Sequence, residues 1–295
     1  MRVNEKRNRK QNNSSRKTKN KVWKVVFYIL AIISVALVLI IVFSSILQNM
    51  DAETVDGFCG TSESKDIETI SDLCGASDNE IYIEESDRYV PYLVVSDDYN
   101  GAALLLRKAI LPEAMQFNDG YVYYNSAGPI ALYETSSIDK YLNSEFIDSL
   151  TDPSLRIEDT DIWVAITEPS STGTIDTKTH TITRKVFLLS ITELGYNDDY
   201  AAGHEGEPLP YFKEISSRIA YDEDGRPANW WTRSPDTYHR VVVYAIGYDA
   251  LLGGGGAYYP NGIRPAFTVD KDTRVKRDSN IIDGKTVFVL AGLGD

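Results

Sequence analysis

Trp230-Trp231-Thr232-Arg233-Ser234-Pro235 and Asn261-Gly262-Ile263-Arg264-Pro265-Ala266-Phe267 are two blocks that each set an arginine and a proline among large apolar residues. Between them lie a strongly β-forming run at 240–248 and four consecutive glycines at 253–256. Paired tryptophans beside a strand, with arginines bonded to main-chain carbonyls or to a buried acid, are what a loop-rich domain needs to fix long connections. Pro265 biases Arg264 toward extended backbone, and Gly262 permits positive φ after Asn261. Trp230, Trp231, Arg233, Pro235, Gly262, Arg264 and Pro265 are therefore expected to be framework. The competing reading is a binding site in which tryptophan stacks on a sugar and arginine grips a carboxylate.

The interior of the stretch differs in kind. Tyr238, His239, Tyr244, Tyr248, Tyr258 and Tyr259 place six rings in a short span, and the glycines at 253–256 predict a freely jointed loop. Tyrosine with glycine is the composition of adaptable binding surfaces, because tyrosine supplies contact area at low entropic cost. Tyr238, Tyr244, Tyr248, Tyr258 and Tyr259 are the candidate ligand-binding residues, although Val241 to Val243 alternate with them and some of the rings must enter the core.

Charge divides the rest of the chain. Residues 1–24 carry a net charge of +9, residues 25–50 carry no charged side chain, and residues 51–295 carry −22. The unbroken apolar run at 25–43, extended to 47, is long enough at 1.5 Å per residue to cross a hydrocarbon core of about 30 Å. A basic segment ahead of such a run stays cytoplasmic, which sends the remainder outside. The alternative, a cleaved signal peptide, would have a shorter apolar core and a small-residue cleavage site. The expected organisation is a basic tail at 1–24, a transmembrane signal anchor at 25–47, an acidic stalk at 51–79 and one globular domain at 80–295. The orientation signal already accounts for the basic tail, so no nucleic-acid partner is expected. Cys59 and Cys74, the only cysteines, lie just past the apolar run, where an oxidising exterior favours a disulfide over two free thiols.

Within the domain, residues 88–107 read as a hairpin around Asn100-Gly101, a pair that tolerates positive φ. Ser136 or Ser137 caps a helix running to about Leu150, with Ile138, Tyr141, Leu142 and Phe146 on one face. Further strands are expected at 162–167 and 185–190, with a loop or exposed hairpin between them. A last hairpin is expected around Asp283-Gly284. Many short strands with one good helix and no β-helix-β alternation predict an α+β domain.

Four ordered blocks, at 137–146, 185–190, 230–235 and 262–267, resemble the family catalogued as domain of unknown function 6273, over about 81–269. The resemblance implies a C-type lectin-like fold, in which irregular loops are carried on a small twisted sheet. The same fold contains formylglycine-generating enzymes, whose chemistry needs a cysteine, and no cysteine lies beyond Cys74. Thr232 departs from the usual leucine of the family, and 271–295 run past its usual end.

Other chemistry is weakly signalled. His180, His204 and His239 sit apart in polar segments, more in keeping with solvated histidines than with a catalytic base. Acidic turns at Asp97-Asp98, Asp198-Asp199 and Asp222-Glu223-Asp224 raise calcium as a cofactor, but no spaced calcium loop is present, and solvated turns are favoured. No metal site is expected. The sequence thus predicts a membrane-anchored extracellular module binding a protein or glycan through its tyrosine- and glycine-rich face. A structural role in the cell envelope is the alternative, and an enzyme the third.

Overall fold

The structure, a computed structural model, describes residues 67–119, 131–169, 175–196, 203–236, 239 and 241–292. All of them belong to one compact unit, Asp56–Asp295. The expected tail at 1–24, membrane helix at 25–47 and first part of the stalk lie outside the described residues.

A single helical turn, α1 (Ile70–Leu73), comes first. Ile70 and Leu73, three residues apart on one face, are fully buried, so packing onto the domain begins ahead of the expected boundary at Glu80. Cys74 follows and is disulfide-bonded; Cys59 lies outside the described residues. Strands β1 (Glu80–Glu85), β2 (Arg88–Tyr99) and β3 (Ala102–Arg107) form an antiparallel meander. Its second turn is the Asn100-Gly101 pair, with φ of 55° and 94°, the geometry that joins twisted strands tightly.

After the short β4 (Met115–Gln116) the chain enters the main helix, capped by Ser136, whose hydroxyl accepts from the Asp139 N–H. It comprises α2 (Ser137–Tyr141), a π-helical turn (Leu142–Phe146) and α3 (Ile147–Ser149). A two-stranded ribbon follows, β5 (Thr160–Pro169) with β6 (Ile175–Arg184), then β7 (Val186–Phe187). Two 3-10 turns follow, Pro210–Lys213 and Ile215–Arg218. The remaining strands are β8 (Ala220–Tyr221), β9 (Pro227–Ala228), β10 (Trp230–Pro235), β11 (Val242–Ile246), β12 (Leu252–Gly256), β13 (Pro260–Asn261), β14 (Ala266–Val269), β15 (Val275–Ile282) and β16 (Lys285–Leu290).

Seven strands join in one sheet, in the order β15-β16-β1-β2-β3-β14-β7, and a second sheet has the order β10-β11-β12. Residues past 271 add two strands to the large sheet, with β16 parallel to β1 and Ile81 opposite Phe288. One apolar cluster runs from Tyr92, Leu104 and Phe267 in the large sheet to Trp230, Trp231 and Val243 in the small one.

This architecture corrects the expected fold. The described residues are mostly β, 45% strand against 14% helix, and the α+β, C-type lectin-like description does not hold. The short strands read singly from the sequence combine into a wide sheet, while the one main helix spans little more than three turns, one of them π. Among the described residues no helix is long and apolar enough to cross a membrane, and the expected span at 25–47 lies outside them.

Candidate functional site

The two conspicuous sequence blocks meet directly. The Gly262 N–H donates to the Asn229 carbonyl at 3.1 Å, and the Trp231 N–H donates to the Gly262 carbonyl at 2.9 Å. A side chain at Gly262 would put its Cβ 2.5 Å from the Asn229 carbonyl oxygen, so the crossing needs glycine for close approach. Both tryptophans are fully buried, and each indole N–H reaches a main-chain carbonyl, Trp230 to Arg218 and Trp231 to Met115. Pro235, Gly262 and Pro265 are buried as well.

Arg233 is enclosed and ties four segments together. It donates to the carbonyls of Trp163, Leu188 and Glu205, and both Glu193 carboxylate oxygens accept from it at 2.7 and 2.8 Å. Burial opposes its charge, but the carboxylates around it outweigh that and raise its pKa. Glu205, buried beside this pair, accepts from the Ala165 N–H, while its Oε2 has no partner among the described residues. Burial raises the Glu205 pKa, although Arg233 pulls against the rise.

Arg264 lacks any such acid. Its Nε donates to the Arg107 carbonyl, and its guanidinium lies 5.4 Å from the Trp230 ring centroid. One terminal nitrogen is buried without a partner among the described residues, and burial lowers its pKa to about 10. Both arginines thus sit inside the domain, where neither could meet a solvent-borne carboxylate.

The tyrosines divide. Tyr244 is buried against Ile191, so it belongs to the interior and is corrected as a candidate contact residue. Tyr238 lies outside the described residues. Tyr248 and Tyr259 are 64% and 58% exposed, and Tyr258 is 38% exposed, its ring 4.5 Å from that of Tyr259. Leu251, which the sequence reading passed over, is 62% exposed on the same stretch. The signal for it was a leucine directly after the turn residues Asp249 and Ala250, outside the strand that begins at Leu252.

The glycine run is not a freely jointed loop. It is β12, paired residue for residue with Val242–Ile246, and none of the four glycines has positive φ. The glycines are there for proximity. A Cβ at Gly255 would meet the Trp231 ring at 2.8 Å, and one at Gly256 would meet the Tyr258 ring at 2.8 Å. One face of the strand therefore lies flat on a buried tryptophan while the Tyr258 ring rests on the other.

Other candidates carry less. His180, His204 and His239 pair with Glu134, Glu207 and Asp236. In the acidic turns, Asp222 and Asp224 pair with Arg226, Glu223 binds Arg88 and Arg107, and Asp98 accepts from the Gly101 N–H. Asp198 and Asp199 lie outside the described residues. Among the described residues, no group of three or more His, Cys, Asp or Glu side chains could hold a metal ion. Two grooves of about 620 Å³ flank the main helix, one lined by Leu111, Met115, Lys140, Tyr141 and Glu145, the other by Asp139, Asn143 and Arg184; neither includes a histidine.

The family described as "Domain of unknown function (DUF6273)" matches residues 100–271. No curated protein and no solved structure matches the chain.

Proposed function

The chain belongs to the DUF6273 family, and from that premise we propose that it is a binding module, displayed at the cell surface, that recognises a protein or glycan through the face formed by Tyr248, Leu251, Tyr258 and Tyr259. The observation that carries this reading is four large side chains exposed within twelve residues beside a strand whose underside is fixed on Trp231. Exposed apolar side chains concentrated at the two ends of one strand, as opposed to scattered singly over the surface, suit a contact surface. Display outside the cytoplasm draws support from the disulfide at Cys74, since such bonds persist in oxidising compartments. The reversal of charge across the uncharged stretch at 25–50 agrees with it.

The test is a combined Tyr248→Ala, Tyr258→Ala and Tyr259→Ala variant, compared with the wild type on glycan and cell-surface protein arrays. The variant keeps the wild-type circular dichroism and melting temperature and loses the array signal. A wild-type chain that binds nothing on either array removes the reading.

A further inference from the structure

Backbone hydrogen bonding defines what the face can take. The Val242 carbonyl accepts from the Asp236 N–H, whereas the Val241 carbonyl accepts from Ala257 and the Gly247 N–H donates to the Leu251 carbonyl. Odd-numbered residues of β11 therefore face β12, and in the antiparallel register Gly253 and Gly255 return those bonds. Leu252, Gly254 and the Gly256 N–H must point the other way, toward the open side. Among the described residues no further strand pairs with β12 there, and the Gly254 and Leu252 main-chain groups have no partner. Gly254, on that open side, is exposed, as is Gly253 beside it.

The large sheet treats its edges differently. At β7 the Asn143 side chain accepts from the Val186 N–H at 3.2 Å and donates to the Val186 carbonyl at 2.9 Å, standing in for a strand. At the opposite edge, β15 carries exposed Lys276 and Arg277, charges that discourage edge pairing. Among the described residues the edge of β12 has no charge, proline, bulge or amide clamp.

We propose that this edge takes up an extended, lysine- or arginine-bearing segment of a partner protein as a fourth strand of the small sheet, with Tyr248, Leu251, Tyr258 and Tyr259 gripping its side chains. The proposal rests on the binding-module reading and narrows it to a peptide. An alternating row of free N–H and C=O groups is complementary to another extended backbone, and side-chain-free glycines let that backbone come close. Charge selects the occupant. Residues 241–263 hold no lysine or arginine, exposed Asp249 stands at one end of the edge, and residues 51–295 carry −22. Two copies of so acidic a domain repel, and a basic segment is attracted.

The experiment selects binders to the full chain from a phage-displayed library of short random peptides and measures amide hydrogen exchange at residue resolution with and without the best synthetic peptide. Expected are enriched basic, β-prone peptides, exchange protection at Gly254 and Leu252 only when peptide is present, and an affinity loss of about tenfold on N-methylating an edge-facing peptide amide. The combined tyrosine variant should lose the same peptides. Peptides that need the tyrosines but tolerate N-methylation at every position, with Gly254 still exchanging freely, overturn strand addition and leave the binding face standing. Selection of no peptide, with a glycan bound on the array, overturns the peptide and keeps the face. Protection of Gly254 in the isolated monomer assigns the edge to the chain's own segments, and protection that grows with protein concentration assigns it to a second copy; either overturns the proposal. Binding to neither peptide nor array removes both readings.

Discussion

Strands β10 and β12 flank the same central strand and are built in opposite ways. Every residue of β10 is buried, and Trp230, Trp231 and Arg233 root it among main-chain carbonyls and Glu193. In β12 four of five residues have no side chain, and Gly253 and Gly254 are exposed. The small sheet is thus anchored through one edge and presented through the other. A strand with no side chains of its own stays in place because its neighbours are immobile, so the rigidity of the presenting edge is borrowed from β10 by way of β11 and Trp231. Sites held on such rigid elements are positioned more accurately than sites on loops.

Several substitutions press on this contrast. Arg233→Met takes the cation from Glu193 and leaves a buried carboxylate with no counter-charge. A loss of about 3–5 kcal/mol is expected, read by urea denaturation, and a change under 1 kcal/mol would mean β10 is not the anchor. Gly255→Ala drives a methyl into Trp231 and should cost about 1–3 kcal/mol while lifting the edge, seen as faster exchange at Gly253 and Gly255. Glu205→Gln tests the acid beside Arg233 by pH. Burial raises the folded-state pKa of Glu205 above its unfolded value, so its contribution is full below the ordinary glutamate range and is lost as pH climbs through the raised value. Glutamine does not titrate, and the melting temperature of the variant should therefore gain on that of the wild type as pH rises above the ordinary glutamate range. A difference in melting temperature that does not change with pH would place the titration elsewhere. Gly253→Ala should be the mildest, within about 0.5 kcal/mol, because the nearest atom to its new Cβ is the Ala245 carbonyl oxygen at 3.8 Å.

The sequence was most readable where local chemistry decides the backbone. Asn100-Gly101 and Asp283-Gly284 announced their turns, Ser136 its cap, and the apolar spacing of 138–146 its helix. It was least readable where the deciding contact is distant. Four glycines in a row signal freedom unless Trp231 and the Tyr258 ring are known to lie against two of them. Tyr244 and Tyr248 look alike in sequence, yet alternation along β11 turns one inward and the turn after it leaves the other in solvent. Asn143 gave no sign that its amide would close a sheet edge, and the α+β, lectin-like expectation failed because pairing between β1 and β16 cannot be read from either segment alone.

That last pairing has a consequence for how the molecule assembles. With β1 lying between β2 and β16, and Ile81 set opposite Phe288, the interior of the large sheet is completed only when segments far apart in the chain come together. Loop closure over such a distance comes before any stabilising contact at that position, which slows folding relative to a domain of local hairpins. A polypeptide cut to 100–271 would lack β1, all of β2 and both closing strands. It would leave the apolar residues of β3 along a raw edge, and so it should aggregate where the longer chain folds.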